Sequence, residues 1–370
     1  MKISFVNLKQ QYKSIKDDID FAISSVIEES SFIGGTHVKE FEKNFGEIYG
    51  VKHVISCANG TDSLYIIMKM LGIGVGDEVI TAANSWISSS ETITQTGAKP
   101  VFLDVHPDYY SMDEALLISK ITSKTKAVMA VHLQGQMCAI DAIKKICDER
   151  GIYLIEDCAQ SHFSTFKGQK AGLFGVAASF SFYPGKNLGA YGDAGCIITN
   201  DDQLAEKCRM YANHGALKKH HHIIEGINSR LDGLQAAILN AKIPYILDWT
   251  AKRIEKAELY RKHLSEITSL ILPKQRENTV HSYHLFVVRA KKRDQLAEWL
   301  KSKDIEIAIH YPTALPNLPA YQYLKSENED YPIATQLQNE ILSLPIYPEL
   351  TEQEIEYVAK AIKDFYCNEA

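Results

Sequence analysis

HVISCANGTDSLYIIMKMLG, residues 53–72, begins as a β-rich run and passes through Asn59 and Gly60 into a helical pattern. The same alternation continues to about residue 200, and its further β-rich runs are DEVITAAN (77–84), KPVFLDV (99–105), TKAVMAVHL (125–133), IYLIEDCAQ (152–160), AASFSFY (177–183) and AGCIITN (194–200). Strands that alternate with helices are typical of βαβ units. The sequence therefore predicts an α/β fold with a mostly parallel, seven-stranded central sheet and helices on both faces.

The part of the chain after Asn228 has a different pattern. A long helical run extends from Leu231 to roughly Ile267 and is interrupted at Pro244. The elements that follow it are a strand at 283–289, a helix at 292–304, a short strand at 305–312 and a closing helix at 351–366. We therefore expect a large domain at residues 1–245 and a smaller α+β C-terminal domain at residues 246–370.

The composition is that of an ordinary globular protein, because the 370 residues are 45% hydrophobic and 23% charged, with a formal net charge of -6. The basic residues are dispersed among acidic ones, so nucleic acid is not an expected partner. No stretch approaches the roughly 20 apolar residues that a membrane span needs, and the start lacks the apolar core of a secretory signal. The seven cysteines are scattered and contain no C-x-x-C pair, which favours reduced thiols. We expect a cytoplasmic protein without a membrane partner.

Two stretches at predicted strand ends carry candidate binding residues. IYLIEDCAQ (152–160) ends its β-rich run at Glu156 and Asp157, and ligands of open α/β sheets bind at the carboxyl ends of the strands. The alternative for Asp157 is that it caps a turn. In ANGTDSL (58–64), Gly60 and Thr61 stand where a strand meets a helix, and the free N–H groups of a helix start favour a phosphate. The alternative there is ordinary helix capping by Asn59 and Thr61.

SFYPGKNLGAYGDAG, residues 181–195, places Lys186 on a turn that directly follows a β-rich run. A lysine near the ligand edge of a sheet can be desolvated, which lowers its pKa and frees the amine for Schiff-base chemistry. Taken alone, a loop lysine more often faces solvent, so this interpretation depends on its neighbours in the fold.

A phosphate cradle, a strand-end Asp and a lysine, in this order on one sheet, are the three anchors that pyridoxal phosphate needs. In this hypothesis the phosphate binds at Gly60 and Thr61, Asp157 holds a proton on the ring nitrogen, and Lys186 binds the aldehyde. Two further residues could contact the ring, Trp86 by stacking and Gln160 through the ring hydroxyl. A core tryptophan and a solvated loop amide are the alternatives for these two.

The chain resembles the pyridoxal-phosphate-dependent nucleotide-sugar aminotransferases of the DegT/DnrJ/EryC1/StrS family, a fold-type I group. The resemblance covers almost the whole chain and rests on CANGTDSL (57–64), IEDCAQSH (155–162), SFSFYPGKNLGAYGDAG (179–195) and GINSRLDGLQAAIL (226–239). It implies that Ser181 joins Gly60 and Thr61 at the cofactor phosphate. It also implies a homodimer in which Asn228 reaches the phosphate in the partner's site.

Lys186 favours the transaminase branch of this family, because relatives that carry out dehydration have a histidine there. The stretch at 57–93 is most similar to enzymes that aminate C3 of a dTDP-linked 3-keto-6-deoxyhexose, with L-glutamate as the amino donor. The resemblance then implies a dTDP-3-amino-3,6-dideoxyhexose as the product, for surface-glycan biosynthesis. A C4-specific nucleotide-sugar aminotransferase and a non-catalytic regulator that binds the cofactor are the alternatives.

Candidate substrate residues are Tyr183, His310 and Tyr311, and Arg230 is a candidate for the donor carboxylate because a guanidinium can pair with it bidentately. Many relatives have a histidine shortly after the Tyr-Pro of IHYPTALPNLPAY (309–321), where this chain has Leu315-Pro316. His310 and Tyr311 could substitute for that histidine, and packing at the domain junction is the alternative for both.

Three consecutive histidines, His220, His221 and His222, raise the question of a metal site. Adjacent residues point in different directions, and no carboxylate or cysteine with ligand spacing accompanies them. The sequence therefore predicts a solvated loop here and no metal site.

Overall fold

The computed structural model describes residues 1–367. Its central sheet has seven strands, which in chain order are β1 (His53–Cys57), β2 (Glu78–Ala82), β3 (Lys99–Leu103), β4 (Thr125–Val131), β5 (Tyr153–Asp157), β6 (Ala177–Ser181) and β7 (Gly195–Thr199). Their spatial order is β1-β7-β6-β5-β4-β2-β3, and every pair is parallel except those that β7 makes with β1 and β6. The predicted mostly parallel, seven-stranded sheet is confirmed.

The antiparallel direction of β7 follows from the segment that connects it to β6. Parallel strands need a crossover, usually a helix, whereas a connection without one can join antiparallel neighbours. Residues 182–194 form turns and bends and contain no helix. The chain therefore stays at the same edge of the sheet, and Lys186 remains there with it.

Helices cover both faces of the sheet, as predicted. Consecutive strand residues point to opposite faces, so Val128 and Met129 of β4 belong to different hydrophobic cores. The core of Val128 includes residues of the helices Gly35–Tyr49 and Ile140–Arg150. The core of Met129 includes residues of the helices Gly60–Met70 and Asp202–Ala212.

Apart from the two faces of the central sheet, which form the large core, the chain has a second core. It is built around a three-stranded sheet of Leu270–Ile271, Phe286–Ala290 and Ile341–Leu344. The long helix Ile246–Leu264 joins the two parts, since it contributes Trp249 to the large core and Tyr260 to the second one. The helix break predicted at Pro244 is a 3-10 turn, Ile243–Tyr245. The division between residues 245 and 246 stays a prediction, because Ile3 also belongs to the second core.

The prediction of a short strand at 305–312 is wrong. This segment pairs with other parts of the chain only through isolated bridges, from Ile305 to Ile3 and from Ala308 to Ser343. Ala308 and Ser343 exchange two backbone hydrogen bonds at the outer edge of Ile341–Leu344, but no ladder continues from this bridge. Residues 305–312 therefore cross near the sheet instead of extending it.

The remaining elements complete the chain. The further α-helices are Leu8–Ser14, Lys16–Glu29, Ser88–Gln95, Leu117–Lys120, Gly233–Lys242, Arg293–Ser302, Pro332–Glu340 and Glu352–Cys367. The short strands are Thr165–Phe166, Gln169–Lys170, Ala216–Lys218, His221–His222 and Thr279–Val280, and the further 3-10 turns are Glu114–Leu116, Leu133–Gly135, Leu315–Asn317, Pro319–Leu324 and Asn328–Asp330. Within residues 1–367, none of the helices has the length and apolar character required to cross a membrane.

Candidate active site

The start of the helix Gly60–Met70 forms one end of the site. The Asn59 side chain caps this helix by accepting the Asp62 N–H at 2.8 Å, so the alternative of helix capping holds for Asn59, whereas the Thr61 hydroxyl lies 2.7 Å from that of Ser88. Gly60 lies so close to the end of β6 that a Cβ there would come within 2.7 Å of the Ser181 Cβ. Glycine is therefore required for this approach, which gathers Gly60, Thr61 and Ser181 around one anion-binding helix start.

The two neighbouring carboxylates at the end of β5 have separate environments. Asp157 lines the cavity, where its Oδ2 accepts the Ser89 hydroxyl at 2.9 Å and its Oδ1 accepts the Ala159 N–H at 3.1 Å. Glu156 is fully buried and lies 2.9 Å from His132 Nε2, and its oxygens also accept the backbone N–H groups of residues 172, 174 and 175. Only Asp157 can meet a ligand.

Lys186 is held by a tight turn at the same edge. Its N–H donates to the Tyr183 carbonyl at 2.8 Å, and a Cβ at Gly189 would lie 2.3 Å from the Pro184 carbonyl oxygen, so glycine allows the turn to close. The half-buried Lys186 side chain lines the cavity. Burial lowers the pKa of the amine to about 8, although the nearby negative charge of Asp157 opposes this. A substantial fraction of the amine is therefore neutral near that pH.

A cavity of about 590 Å³ connects these groups. The predicted site residues that line it are Gly60, Thr61, Trp86, Asp157, Gln160, Ser181, Tyr183, Lys186, His310 and Tyr311. The other two predicted residues, Asn228 and Arg230, are exposed and lie outside this cavity of their own chain. The placement of Asn228 in a partner's site stays a prediction.

Gln160, Tyr311 and Trp86 form a connected wall of the cavity. Gln160 accepts the Gln134 N–H at 2.7 Å and donates to the Tyr311 hydroxyl at 2.9 Å, so it is not a solvated loop amide. The rings of Trp86 and Tyr311 are 5.5 Å apart, and Trp86 is 56% exposed. It is therefore no core tryptophan, and its indole is available to a ligand. Burial, together with the charge of Asp157, raises the pKa of Tyr311, so its hydroxyl stays protonated.

His310 lies at the junction of the two cores. Its Nδ1 is 2.9 Å from the Ser343 hydroxyl, and its ring stacks on Phe5 at 5.7 Å. Burial and the charge of Lys186 lower the pKa of His310 to about 4, so it is a neutral hydrogen-bonding group at the cavity wall. His310 therefore packs at the domain junction and also lines the cavity, so both interpretations of this histidine describe its position.

The histidine triplet is exposed, as predicted, and His221–His222 pairs with Ala216–Lys218 as a short hairpin. Within residues 1–367, two other groups of three potential metal ligands come within 4.8 Å of one another, namely His132, Glu156 and Cys158, and His263, Glu352 and Glu356. The first group is hydrogen-bonded internally through Glu156, and neither group lines the cavity.

Several cavity residues were missed by the sequence reasoning. Arg253 lies in the middle of a helical run about 70 residues beyond Lys186, and His284 stands in front of a buried strand. Ser89 does not line the cavity but donates its hydroxyl to Asp157, and it stands in the serine-rich stretch after Trp86, in which Ser88 does line the cavity. The serine run was a usable signal, because three consecutive hydroxyls at a helix start beside a strand end indicate a polar wall. No local signal marks Arg253, whose contacts are all distant in sequence.

The site fits pyridoxal phosphate on the geometry of this chain. A glycine cradle at a helix start suits a phosphate, a buried carboxylate at a strand end suits a protonated ring nitrogen, and a lysine with a lowered pKa suits an aldehyde. The cavity joins all three groups and is also lined by the exposed indole of Trp86. Its volume of about 590 Å³ leaves room for a second ligand beside the cofactor.

Comparisons with known proteins agree with this fit. Residues 13–363 match the DegT/DnrJ/EryC1/StrS aminotransferase family. The chain is 40% identical, over 99% of both chains, to a pleiotropic regulatory protein of Geobacillus stearothermophilus. It is also 40% identical to the dTDP-3-amino-3,6-dideoxy-alpha-D-galactopyranose transaminase of Aneurinibacillus thermoaerophilus, covering 98% of this chain and 99% of that one.

A third relative is the UDP-2-acetamido-2-deoxy-3-oxo-D-glucuronate aminotransferase of Pseudomonas aeruginosa, 39% identical over 97% of this chain and 99% of that one. Among solved structures, DesV of S. venezuelae in complex with a ketimine intermediate superposes with a TM-score of 0.96, at 34% identity over 98% of each chain.

The fold and the site define a pyridoxal-phosphate-dependent aminotransferase that acts on sugars. The chain belongs to the DegT/DnrJ/EryC1/StrS aminotransferase family.

Proposed function

We propose that this enzyme transfers the amino group of L-glutamate to C3 of a dTDP-linked 3-keto-6-deoxyhexose and so makes a dTDP-3-amino-3,6-dideoxyhexose for a surface glycan. The observation that carries the proposal is the Lys186 amine, which lines one cavity together with the phosphate cradle and Asp157. The names of two relatives near 40% identity support C3 as the position, since one is a dTDP-3-amino-sugar transaminase and the other acts on a 3-oxo sugar.

Each side chain has a defined task in this proposal. Pyridoxal phosphate, when bound, supplies the electron sink and carries the amino group between donor and sugar. Gly60, Thr61 and Ser181 bind its phosphate, and Asp157 holds a proton at the ring nitrogen. The Lys186 Nζ removes the donor's α-proton and later returns a proton to the sugar carbon, which requires a neutral amine at the working pH.

We also propose that the enzyme acts as a cytoplasmic homodimer, in which Asn228 reaches the cofactor phosphate of the partner's site. Asn228 is exposed in the single chain, and several large apolar side chains are exposed as well, including Phe32, Ile33, Ile223 and Ile224. A second copy of the chain would cover such side chains. All seven cysteines are free thiols, which supports a reducing compartment.

The test has two stages that use the purified enzyme loaded with pyridoxal phosphate. In the first, L-glutamate alone is added, and we expect the visible absorption of the cofactor to disappear in a single turnover. An unchanged spectrum would support a binding regulator instead. In the second, dTDP-3-keto, dTDP-4-keto and UDP-3-keto sugars are offered separately, and NMR locates the new C–N bond. We expect amination of the dTDP-3-keto sugar; a preference for either other substrate would contradict this specificity.

A further inference from the structure

Arg253 is a cavity residue without a counter-ion. It lies in the helix Ile246–Leu264, is only 5% exposed and lines the cavity. No carboxylate among residues 1–367 forms an ion pair with it; the charge of Glu349 acts on it only from a distance. Burial lowers its pKa to about 10, so the guanidinium is still protonated at neutral pH. A buried charge of this kind is costly unless an anion compensates it.

The hydrogen bonds of Arg253 use one side of the guanidinium. Its Nη1 donates to the backbone carbonyls of Tyr283 and Ile346, at 3.2 and 3.0 Å, and more weakly to that of His284. Nε is buried without a partner, and Nη2 has no hydrogen bond to residues 1–367. The edge formed by Nε and Nη2 is therefore free. This edge presents two parallel N–H groups, which is the arrangement that binds a carboxylate bidentately.

Arg253 lies at the lysine end of the cavity. The charges of Lys186 and Arg253 both act on His284 and on His162, and they add to the effect of burial in lowering the pKa of each histidine. The hydrogen bond of 3.2 Å between His284 Nδ1 and Asn187 Oδ1 ties this group to the turn that carries Lys186. An anion held by Arg253 would thus be close to the amine that reacts.

We propose that Arg253 binds the α-carboxylate of the amino donor and so orients the Cα–H bond toward Lys186. This assignment rests on the proposed function, because it requires an amino acid as the donor. The cofactor phosphate has its own cradle at Gly60, and the candidate named from charge alone, Arg230, is exposed and outside this cavity. Arg253 positions the donor through two N–H groups that the fold leaves unpaired.

The experiment compares L-glutamate with 4-aminobutyrate, which has the same amine-bearing carbon without the α-carboxylate. Single-turnover loss of cofactor absorption is recorded with both amines for the wild type, Arg253→Gln and Arg253→Lys. We expect Arg253→Gln to lose about 10- to 100-fold in the apparent affinity for glutamate, the usual effect of removing a charge-assisted pair. The rate with 4-aminobutyrate is expected to change less than threefold, so the preference for glutamate collapses. Methylguanidine is expected to restore part of the glutamate rate.

Matched variants separate this role from a structural one. Arg261 lies two turns further along the same helix and binds the Pro273 carbonyl and the Tyr283 hydroxyl away from the cavity. Arg261→Gln therefore controls for lost helix anchoring and is expected to keep the wild-type ratio of the two amines. A ratio that is unchanged in Arg253→Gln, or one that collapses in Arg230→Gln instead, would overturn the assignment.

Two further measurements keep the outcome interpretable. If Arg253→Gln fails to fold, Arg253→Lys provides the test, because a point charge without the planar fork should still lose most of the preference. If the wild type itself shows no reaction with glutamate but reacts with another amine, the proposed donor is wrong. In that case the affinity for glutarate is measured from its effect on the cofactor absorption in the wild type and in Arg253→Gln. A weaker affinity in the variant would show that Arg253 binds carboxylates, and an equal affinity would overturn the assignment.

Discussion

Lys186 lies in the turn between β6 and β7 and Lys242 donates to it, and burial lowers the pKa of both amines, to about 8 and about 7 respectively. Lys242 is fully buried, donates to the Gly189 carbonyl at 2.6 Å and lies 4.2 Å from the centre of the Tyr191 ring. The Lys186 amine has no hydrogen-bond partner among residues 1–367 and lines the cavity. A lowered pKa alone therefore does not identify a reactive lysine. An unpaired amine with access to a ligand does.

Removing each amine in turn tests whether only Lys186 is reactive. We expect Lys186→Ala to lose at least about 10⁴-fold in turnover, because the residue both binds the cofactor and moves the proton. Its thermal midpoint, measured on the apo-protein, should stay within a few degrees of the wild type, since no hydrogen bond is lost. Steady-state rates and calorimetry on the same preparations measure both quantities.

The matched variant is Lys242→Met, which keeps the length of the side chain and removes the bond to the Gly189 carbonyl. We expect a loss of about 1–3 kcal/mol in stability, since that buried carbonyl is left unpaired, and less than a tenfold loss in turnover of the folded enzyme. An inactive but fully stable Lys242→Met enzyme would contradict the division of roles between the two lysines.

The sequence was sufficient to predict the central sheet and the residues at its ligand-binding edge, and the two lysines illustrate why. Lys186 is marked by local signals, a β-rich run, Pro184-Gly185 and a following glycine, and local signals also mark Gly60 and Asp157. Lys242 lies in a helical pattern in which nothing distinguishes it from a solvent-exposed lysine. Its hydrogen-bond partner, Gly189, is 53 residues earlier in the chain. The same holds for Arg253, whose partners are 30 to 93 residues away. Contacts of this kind arise from packing between elements, which periodicity does not encode.

The neighbouring carboxylates Asp157 and Glu156 repeat the contrast between a ligand-facing group and an enclosed one. We expect Asp157→Asn to lower turnover by about 10²- to 10³-fold, because an amide stabilises a proton on the ring nitrogen poorly. Its stability should be close to that of the wild type, since the Asn Oδ1 can still accept the Ala159 N–H and its Nδ2 can donate to the Ser89 hydroxyl oxygen, which can rotate to accept. Single-turnover rates with glutamate measure the effect, and a rate within threefold of the wild type would exclude this role.

Glu156→Gln is the control for that variant. The Glu156 carboxylate accepts three backbone N–H groups and faces His132, so an amide would turn a donor toward other donors. We expect a loss of about 2–4 kcal/mol in the free energy of unfolding and an unchanged rate for the enzyme that remains folded. A stable Glu156→Gln protein that is inactive would place the wrong carboxylate in the site.

Lys242 also contributes to the pH dependence of stability. Its pKa is about 7 in the folded state and about 10.4 when unfolded, so between these values the unfolded chain binds the extra proton. Stability from this group is therefore lowest below pH 7 and rises with pH through the window, by at most about 1.4 kcal/mol per unit. Urea unfolding of the cofactor-saturated wild type and of Lys242→Met at pH 7, 8 and 9 measures the difference between the two slopes. We expect the slope of the wild type to exceed that of the variant, and parallel slopes would show that Lys242 remains charged within its hydrogen bond.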